Sequence, residues 1–171
     1  AVLDSGVDNE HFSLDDFSDN NNDNENEPDD LSDPKWLAGC DATSWNSQEC
    51  NDGEFDPDDG NGHGTHVAGI ALGTGDSRRV NQGYAPGSYL VDVKVMTDSG
   101  GSAGGDEGPI IKGLQWVLQN VNTDWGNNDS SEGIDIMTMS FGSGSSPVGE
   151  NDQGDDGNNS AARLVNNCAD A

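Results

Sequence analysis

The chain has 171 residues, which is long enough for one domain with a hydrophobic core. Six Lys and Arg residues stand against 33 Asp and Glu residues, so the net charge is −27 at pH 7. This excess of negative charge excludes a surface for nucleic acids or anionic membranes as the default interpretation. No apolar run is long enough to predict a transmembrane helix.

Three explanations of the acidic composition are open: calcium binding, a solvated surface suited to salty water, and disordered segments. We favour the salty-water surface, because at 1 M salt the Debye length shortens to about 3 Å and self-repulsion becomes tolerable. The sequence begins in a strand-like segment and ends inside a helical pattern, so we expect it to be a piece of a longer protein.

Strand-like and helix-like segments alternate along the chain. The strand-like segments are residues 1–3, 89–96 and 134–140, and the helix-like segments are residues 61–73, 109–118 and a last one that begins at Ala161. Alternation of this kind predicts a parallel sheet with helices on its faces.

Local signals add detail to these segments. Asn61 or Thr65 is expected to cap the first helix, and Pro109 suits the first turn of the second. Lys94 interrupts an apolar strand and is expected to extend its ammonium group to the sheet edge. The glycine-rich residues 98–108 predict a loop that another backbone can approach closely.

Two acidic insertions are expected, at about residues 18–60 and 143–158. Residues 35–37 are interpreted as a tether of the first insertion. Its last part, residues 56–60, resembles a calcium-binding loop only superficially, because Pro57 and the acid spacing break the required order.

The three cysteines do not have the spacing of a zinc site. Cys40 and Cys50 lie ten residues apart and could close a short loop as a disulfide. Cys168 falls in a helical pattern, where a small buried thiol is the simpler interpretation.

Residues 62–71 read GHGTHVAGIA, with a histidine at the start of an apolar helix. A histidine in the first turn of a buried helix is held rigidly, as a general base requires. Asp4 follows a buried strand, at the edge where parallel α/β sheets place their sites. Taken singly, His63 could equally be a helix-start residue without chemistry, and Asp4 could merely stabilise a turn.

Four segments in one order resemble the subtilisin-like serine proteases (subtilases, peptidase family S8). They are VLDSGVD, GHGTHVAGI, GYAP followed by YLVDVKV, and the strand end MSFG. The resemblance covers nearly the whole chain apart from the two insertions. It implies an α/β fold of three layers, with a mostly parallel sheet flanked by helices, which is incomplete in this chain.

The resemblance also implies a serine-type endopeptidase with an Asp-His-Ser triad. Asp4 would hold the imidazole of His63 in the right tautomer, and His63 would move the proton of a serine hydroxyl. His66, one turn further along the helix, would be structural. Gly100 and the segment Ser140, Phe141 and Gly142 match the two stretches that pair with the substrate backbone.

The chain departs from the family pattern in one respect: it contains neither a GTSMA-type segment with the nucleophile nor an AAGN-type strand with the oxyanion-hole Asn. We therefore expect it to be truncated before both, and, as an isolated polypeptide, to be inactive and marginally folded. The resemblance further implies polypeptide substrates, a pro-segment, an extracellular or cell-surface location, no cofactor for the chemistry, and Ca²⁺ as a structural stabiliser.

Two alternative functions remain open at this point. One is a catalytically inactive subtilase-like binding module, and the presence of both Asp4 and His63 argues against it. The other is an acidic calcium-binding protein in which the insertions are the functional part.

Overall fold

The computed structural model describes residues 1–14, 35–44, 47–50, 53, 55–75, 80–99, 102–126, 133–142 and 160–171. The strands are β1 (Val2–Asp4), β2 (Trp36–Asp41), β3 (Leu90–Lys94), β4 (Thr97–Ser99), β5 (Ser102–Gly104) and β6 (Thr138–Met139). The helices are α1 (His63–Leu72), α2 (Glu107–Asn120) and α3 (Ser160–Ala169), and a 3₁₀ turn spans Ser47–Cys50.

Four of the strands form a parallel sheet in the order β2-β3-β1-β6. Asp4 at the end of β1 lies opposite Lys94 at the end of β3, and Lys94 lies opposite Asp41 at the end of β2. The carboxyl ends of these strands therefore meet at one edge of the sheet, where sites of parallel α/β folds are built. Strands β4 and β5 form a separate antiparallel hairpin.

The two faces of the sheet carry separate hydrophobic clusters, one under α1 and one under α2. Val2 and Leu90 pack with Ala68 and Leu72 of α1. The opposite cluster, which joins the sheet to α2, includes Leu3, Val91, Val93, Leu114 and Val117. Helix α3 packs its Leu164, Val165 and Cys168 against this second cluster. The protein therefore has an α/β architecture of three layers, with a parallel sheet flanked by helices, as predicted.

Strand β2 corrects the sequence interpretation. Residues 36–41 were assigned to the first insertion, whereas they form a sheet strand paired with β3. Their apolar core, Leu37 to Cys40, is short and is followed by polar sequence, so neither length nor periodicity identified it. Residues 18–34 and 143–158, the remaining bulk of the predicted insertions, lie outside the described residues.

Other elements differ in extent from the predicted ones. Strand β6 is limited to two residues within the predicted 134–140, and the glycine-rich segment contains the β4–β5 hairpin instead of a loop alone. Helix α1 begins at His63, and Pro109 lies in the first turn of α2, as expected.

The structure pairs two of the cysteines and leaves the third partly buried. Cys40 of β2 and Cys50 of the 3₁₀ turn form a disulfide with Cα atoms 4.4 Å apart. Cys168 is half-buried instead of fully buried, and its thiol lies 3.7 Å from the carbonyl oxygen of Leu114. Burial raises the pKa of the Cys168 thiol.

An unusual feature of β3 is a fully buried carboxyl group, that of Asp92. Its Oδ2 accepts a hydrogen bond of 2.8 Å from the backbone amide of Val7, and among the described residues its Oδ1 has no partner. Burial raises the pKa of Asp92 well above its ordinary value, against the opposing effect of the Val7 amide, and the negative charge of Asp56 adds to the increase.

We expect Asp92 to make the folded state less stable as the pH rises. Above the ordinary aspartate pKa of about 3.9 the unfolded chain releases this proton while the folded chain keeps it, so the free energy of unfolding falls by about 1.4 kcal/mol per pH unit. The loss continues until the raised pKa of the folded state is reached. The variant Asp92→Asn should gain stability relative to the wild type over this range, as measured by urea unfolding at a series of pH values. A constant difference between the two proteins at all pH values would contradict this prediction.

Candidate active site

Asp4 and His63 form a hydrogen-bonded pair at the carboxyl edge of the sheet. Nδ1 of His63 lies 2.6 Å from Oδ1 of Asp4, although 59 positions separate the two residues. The Asp4 side chain is fully buried, whereas 42% of the His63 side chain is exposed. A neutral imidazole that donates from Nδ1 carries its lone pair on Nε2, so the pair presents a base on an accessible ring.

The carboxylate of Asp4 is fixed from the sheet side. Its Oδ1 also accepts a hydrogen bond of 2.8 Å from the amide of Ser5. Its backbone carbonyl accepts from the amides of Val95 and Met96, at 2.8 and 3.1 Å, where the chain leaves β3. Asp4 is therefore held by the end of a neighbouring strand as well as by its own.

The start of α1 is capped by a residue outside the helix. Gly62 occupies the N-cap position with φ 90° and provides no side-chain cap, and the expectation that Asn61 or Thr65 caps the helix is wrong. Asp59 does so instead. Its Oδ1 accepts from the amides of Asn61 and Gly62 at 3.1 and 2.9 Å, and its Oδ2 accepts from the amide and hydroxyl of Thr65 at 2.9 and 2.6 Å.

A second set of contacts joins the turn after β1 to the same helix start. The Ser5 hydroxyl donates to Oδ1 of Asp59 at 2.9 Å and accepts from the amide of Gly64 at 3.0 Å. A Cβ atom at Gly64 would collide with the carbonyl oxygen of Gly6, so this close approach requires glycine. Through these contacts the strand that carries Asp4 and the helix that begins with His63 are fixed relative to each other.

Asp59 accepts hydrogen bonds with both carboxylate oxygens, and these bonds affect its pKa. Burial alone would raise its pKa, but the hydrogen bonds from Thr65, Gly62 and Ser5 outweigh burial and lower it. Its two oxygens accept five hydrogen bonds, three at Oδ1 and two at Oδ2. Within the described ranges, no group of three or more His, Cys, Asp or Glu side chains is arranged to hold a metal ion.

Replacing Asp59 by alanine is expected to lower the free energy of unfolding by about 2–4 kcal/mol, because a helix cap is lost and the amides of Gly62 and Thr65 lose their acceptor. Urea unfolding of the full-length protein measures the effect. The matched control is Asn61→Ala, which should change the stability by less than about 0.5 kcal/mol. Equal effects of the two substitutions would show that Asp59 is not the cap.

The predicted substrate-pairing segment Ser140, Phe141 and Gly142 directly follows β6. Because Leu3 pairs with Met139, Ser140 comes to the same sheet edge as Asp4. Ser140 and Gly142 are exposed, and Phe141 packs against the cluster under α2. Gly100 lies outside the described residues, and its described neighbours are strands β4 and β5. His66 is exposed, one turn beyond His63 on α1.

Lys94 corrects a further prediction. Its side chain is only 9% exposed and does not extend to solvent. Instead, Nζ donates hydrogen bonds of 2.6 Å to the carbonyl of Asp58 and to Oδ2 of Asp98.

Sequence reasoning missed Asp59, Ser5 and Lys94 as parts of the site. The available signals were an acid four positions before His63 and another four positions after Lys94.

None of the helices in the described part of the chain is both long enough and apolar enough to span a membrane.

Comparison with known proteins gives concordant results. A family model described as the subtilase family matches residues 1–171. Serine protease AprX of Bacillus subtilis (strain 168) is 39% identical over 88 residues, which are 51% of this chain and 18% of the relative. Subtilisin DY of Bacillus licheniformis is 37% identical over 90 residues, which are 53% of this chain and 27% of the relative.

Among solved structures, the crystal structure of a cold-adapted subtilisin-like serine proteinase is 30% identical, with a TM-score of 0.43. The match covers 70% of this chain and 31% of that protein. The chain thus spans less than a third of the length of each of these proteins. Because the family model covers every residue from 1 to 171, the chain belongs to the subtilase family.

Proposed function

We propose that the full-length protein is a serine endopeptidase that cleaves peptide bonds through an Asp-His-Ser triad, with Asp4 as the acid and His63 as the base. The observation that supports this proposal most strongly is the hydrogen bond of 2.6 Å between Nδ1 of His63 and the buried carboxylate of Asp4. Membership of the subtilase family supports hydrolysis of peptide bonds as the reaction.

The geometry of the pair suits proton transfer during acyl transfer. With the Nδ1 proton donated to Asp4, Nε2 of His63 takes the proton from a serine hydroxyl as the serine oxygen attacks the peptide carbonyl carbon. The resulting imidazolium is stabilised by the carboxylate of Asp4. The imidazolium returns the proton to the amine as the C–N bond breaks. Water then gives a proton to Nε2 and attacks the acyl carbon, and the imidazolium returns that proton to the serine oxygen as the acyl C–O bond breaks.

The nucleophile is proposed to lie outside these 171 residues. The chain contains no GTSMA-type segment and no AAGN-type strand. Ser140 follows an edge strand of the described sheet and Ser160 begins α3, and neither lies in a segment of the GTSMA type. We therefore propose that the 171-residue polypeptide alone does not hydrolyse peptides.

Substrates are proposed to be polypeptides bound in extended form. The backbone near Gly100 and that of Ser140 to Gly142 would pair with the substrate as flanking strands, which gives affinity through main-chain hydrogen bonds. The exposure of Ser140 and Gly142 beside β6 supports this role.

An extracellular or cell-surface location is proposed, and the disulfide between Cys40 and Cys50 supports it, because disulfides persist in oxidising compartments. Ca²⁺ is proposed only as a stabiliser of the fold. Among the described residues, no group of three or more His, Cys, Asp or Glu side chains is arranged to hold it.

The test is hydrolysis of an extended synthetic peptide by the full-length protein, before and after treatment with a fluorophosphonate and with a calcium chelator. The proposal predicts that the fluorophosphonate abolishes turnover, and that the chelator lowers the melting temperature without an immediate loss of turnover. Hydrolysis that survives the fluorophosphonate would contradict a serine nucleophile. A complete lack of hydrolysis would favour the inactive binding module.

A further inference from the structure

The buried lysine of β3 lies where three segments of the chain meet. Lys94 ends β3 and pairs in register with Asp4 of β1. Its ammonium group donates to the carbonyl of Asp58, in the loop before α1, and to the carboxylate of Asp98, in the β4–β5 hairpin. Both bonds measure 2.6 Å, and the side chain is 9% exposed.

The loop and the hairpin also touch each other directly. A Cβ atom added to Gly60 would lie 2.9 Å from Oδ2 of Asp98. Gly60 follows Asp59, the residue that caps α1 and thereby holds His63. The carboxylate of Asp98 therefore rests on the loop that positions the base, and Lys94 holds it there.

The two strands of the hairpin lie on either side of Gly100 in the sequence, and Gly100 belongs to the segment that is proposed to pair with the substrate backbone. Asp98 pairs with Ala103 across β4 and β5, and Gly100 falls between these strands in sequence. A displacement of the hairpin would move strands β4 and β5 relative to the pair formed by Asp4 and His63. The contacts of Lys94 therefore connect the hairpin to the loop that positions His63.

We propose that Lys94 is a positioning residue: through its ion pair with Asp98 it fixes the β4–β5 hairpin against the loop before α1, so that an extended substrate is held in register with Asp4 and His63. This inference rests on the proposed endopeptidase function. It assigns to Lys94 and Asp98 a role in the use of long substrates that is separate from the proton transfers.

The burial of the Lys94 ammonium group favours a fixed ion pair with Asp98 over a flexible contact. An ammonium group without a partner in a buried position is strongly unfavourable, so the hairpin stays in place as long as its carboxylate is the counterion. Removing the Asp98 charge leaves Nζ of Lys94 with the uncharged carbonyl of Asp58 as its other acceptor among the described residues. Small displacements of bound groups cost up to about 100-fold in rate, so a loosened hairpin should reduce turnover of substrates that depend on it.

The experiment compares the hydrolysis of two substrates by the full-length protein. One is a tetrapeptide anilide, which is long enough to pair with the hairpin, and the other is a single-residue ester, which is not. The variants are Lys94→Met, Asp98→Asn, their combination, and Lys94→Arg. The control is Lys112→Met, because the α2 lysine also donates to backbone carbonyls, but to those of Asp41 and Ser44, which lie outside the hairpin. Active-site titration corrects every rate for the fraction of folded enzyme.

For the tetrapeptide, Lys94→Met and Asp98→Asn should each raise KM and lower kcat/KM by about tenfold more than for the ester. The double variant should lose little more than the more damaged single variant, because the two residues act through one contact. Lys94→Arg keeps the positive charge, so its ratio of kcat/KM for the tetrapeptide to kcat/KM for the ester should lie closer to the wild-type value than that of Lys94→Met. Lys112→Met should leave the ratio between the two substrates at the wild-type value.

Equal losses on both substrates in Asp98→Asn would overturn the inference, and so would additive losses in the double variant. If Lys94→Met does not fold, Asp98→Asn alone decides, since it preserves the shape of the side chain. If the wild type reacts with a fluorophosphonate but the variants leave the ratio between the two substrates unchanged, the proposed function stands and the role of Lys94 is refuted. A wild-type protein that hydrolyses neither substrate loses both.

Discussion

Replacing His63 by alanine in the full-length protein is expected to lower kcat for peptide hydrolysis by at least about 10⁴-fold, because no other group takes the proton of the nucleophile. The value of KM should change little, since the imidazole is not expected to bind the peptide backbone. The free energy of unfolding should fall by about 1–3 kcal/mol, because the buried carboxylate of Asp4 loses one hydrogen-bond partner. Steady-state kinetics with an extended peptide measures the loss.

The matched control for this substitution is His66→Ala. His66 lies on the same helix, one turn later, and is exposed. Its removal should leave kcat within about threefold of the wild-type value, as for most exposed positions. If His66→Ala were the more damaging of the two, the assignment of the base would have to be exchanged.

Replacing Asp4 by asparagine is expected to lower kcat by about 10⁴-fold while the fold persists. The amide has the shape of the carboxyl group, but an NH₂ group turned toward His63 gives up the hydrogen bond that Oδ1 accepts from the Ser5 amide. What it cannot do is stabilise an imidazolium by charge, and its NH₂ group would favour the tautomer of His63 whose Nε2 carries the proton. That tautomer has no lone pair for the nucleophile.

Asp41→Asn is the control for this substitution, since Asp41 ends β2 at the same edge of the sheet. Its Oδ1 accepts hydrogen bonds from Thr43 and Ser44, and no histidine among the described residues donates to it. Activity should therefore stay within about threefold of the wild type. Thermal unfolding of both variants separates a loss of activity from a loss of fold. Retention of most activity in a folded Asp4→Asn protein would refute the role of Asp4.

The parts of the fold that follow from local patterns were predictable. Strands β1 and β3 are buried on both faces, and β3 is apolar apart from Asp92 and Lys94. Helix α2 shows the apolar spacing of a helix that covers a sheet. Strand β2 was missed because its few apolar residues lie in a polar, acidic part of the sequence, and it becomes a strand only by pairing with β3.

The residues of the site that belong to sequence motifs were predictable, whereas those brought to the site only by the fold were not. The order of the motifs around Asp4 and His63 predicted that the two side chains meet, and the structure places them in hydrogen-bond contact. The roles of Asp59 and Lys94 depend on contacts with residues far away in the sequence or with a carbonyl group. Ser5 and Asp59, for example, are 54 positions apart. Neither spacing nor composition reports such contacts.

The central claim is that Asp4 and His63 serve a serine outside these 171 residues. The most direct measurement is mass spectrometry of the full-length protein after reaction with a fluorophosphonate, which locates the modified serine, in the wild type and in His63→Ala. The account predicts one adduct, in a GTSMA-like segment beyond residue 171, and its disappearance in His63→Ala. An adduct on Ser140 or Ser160, or labelling that does not depend on His63, would contradict it.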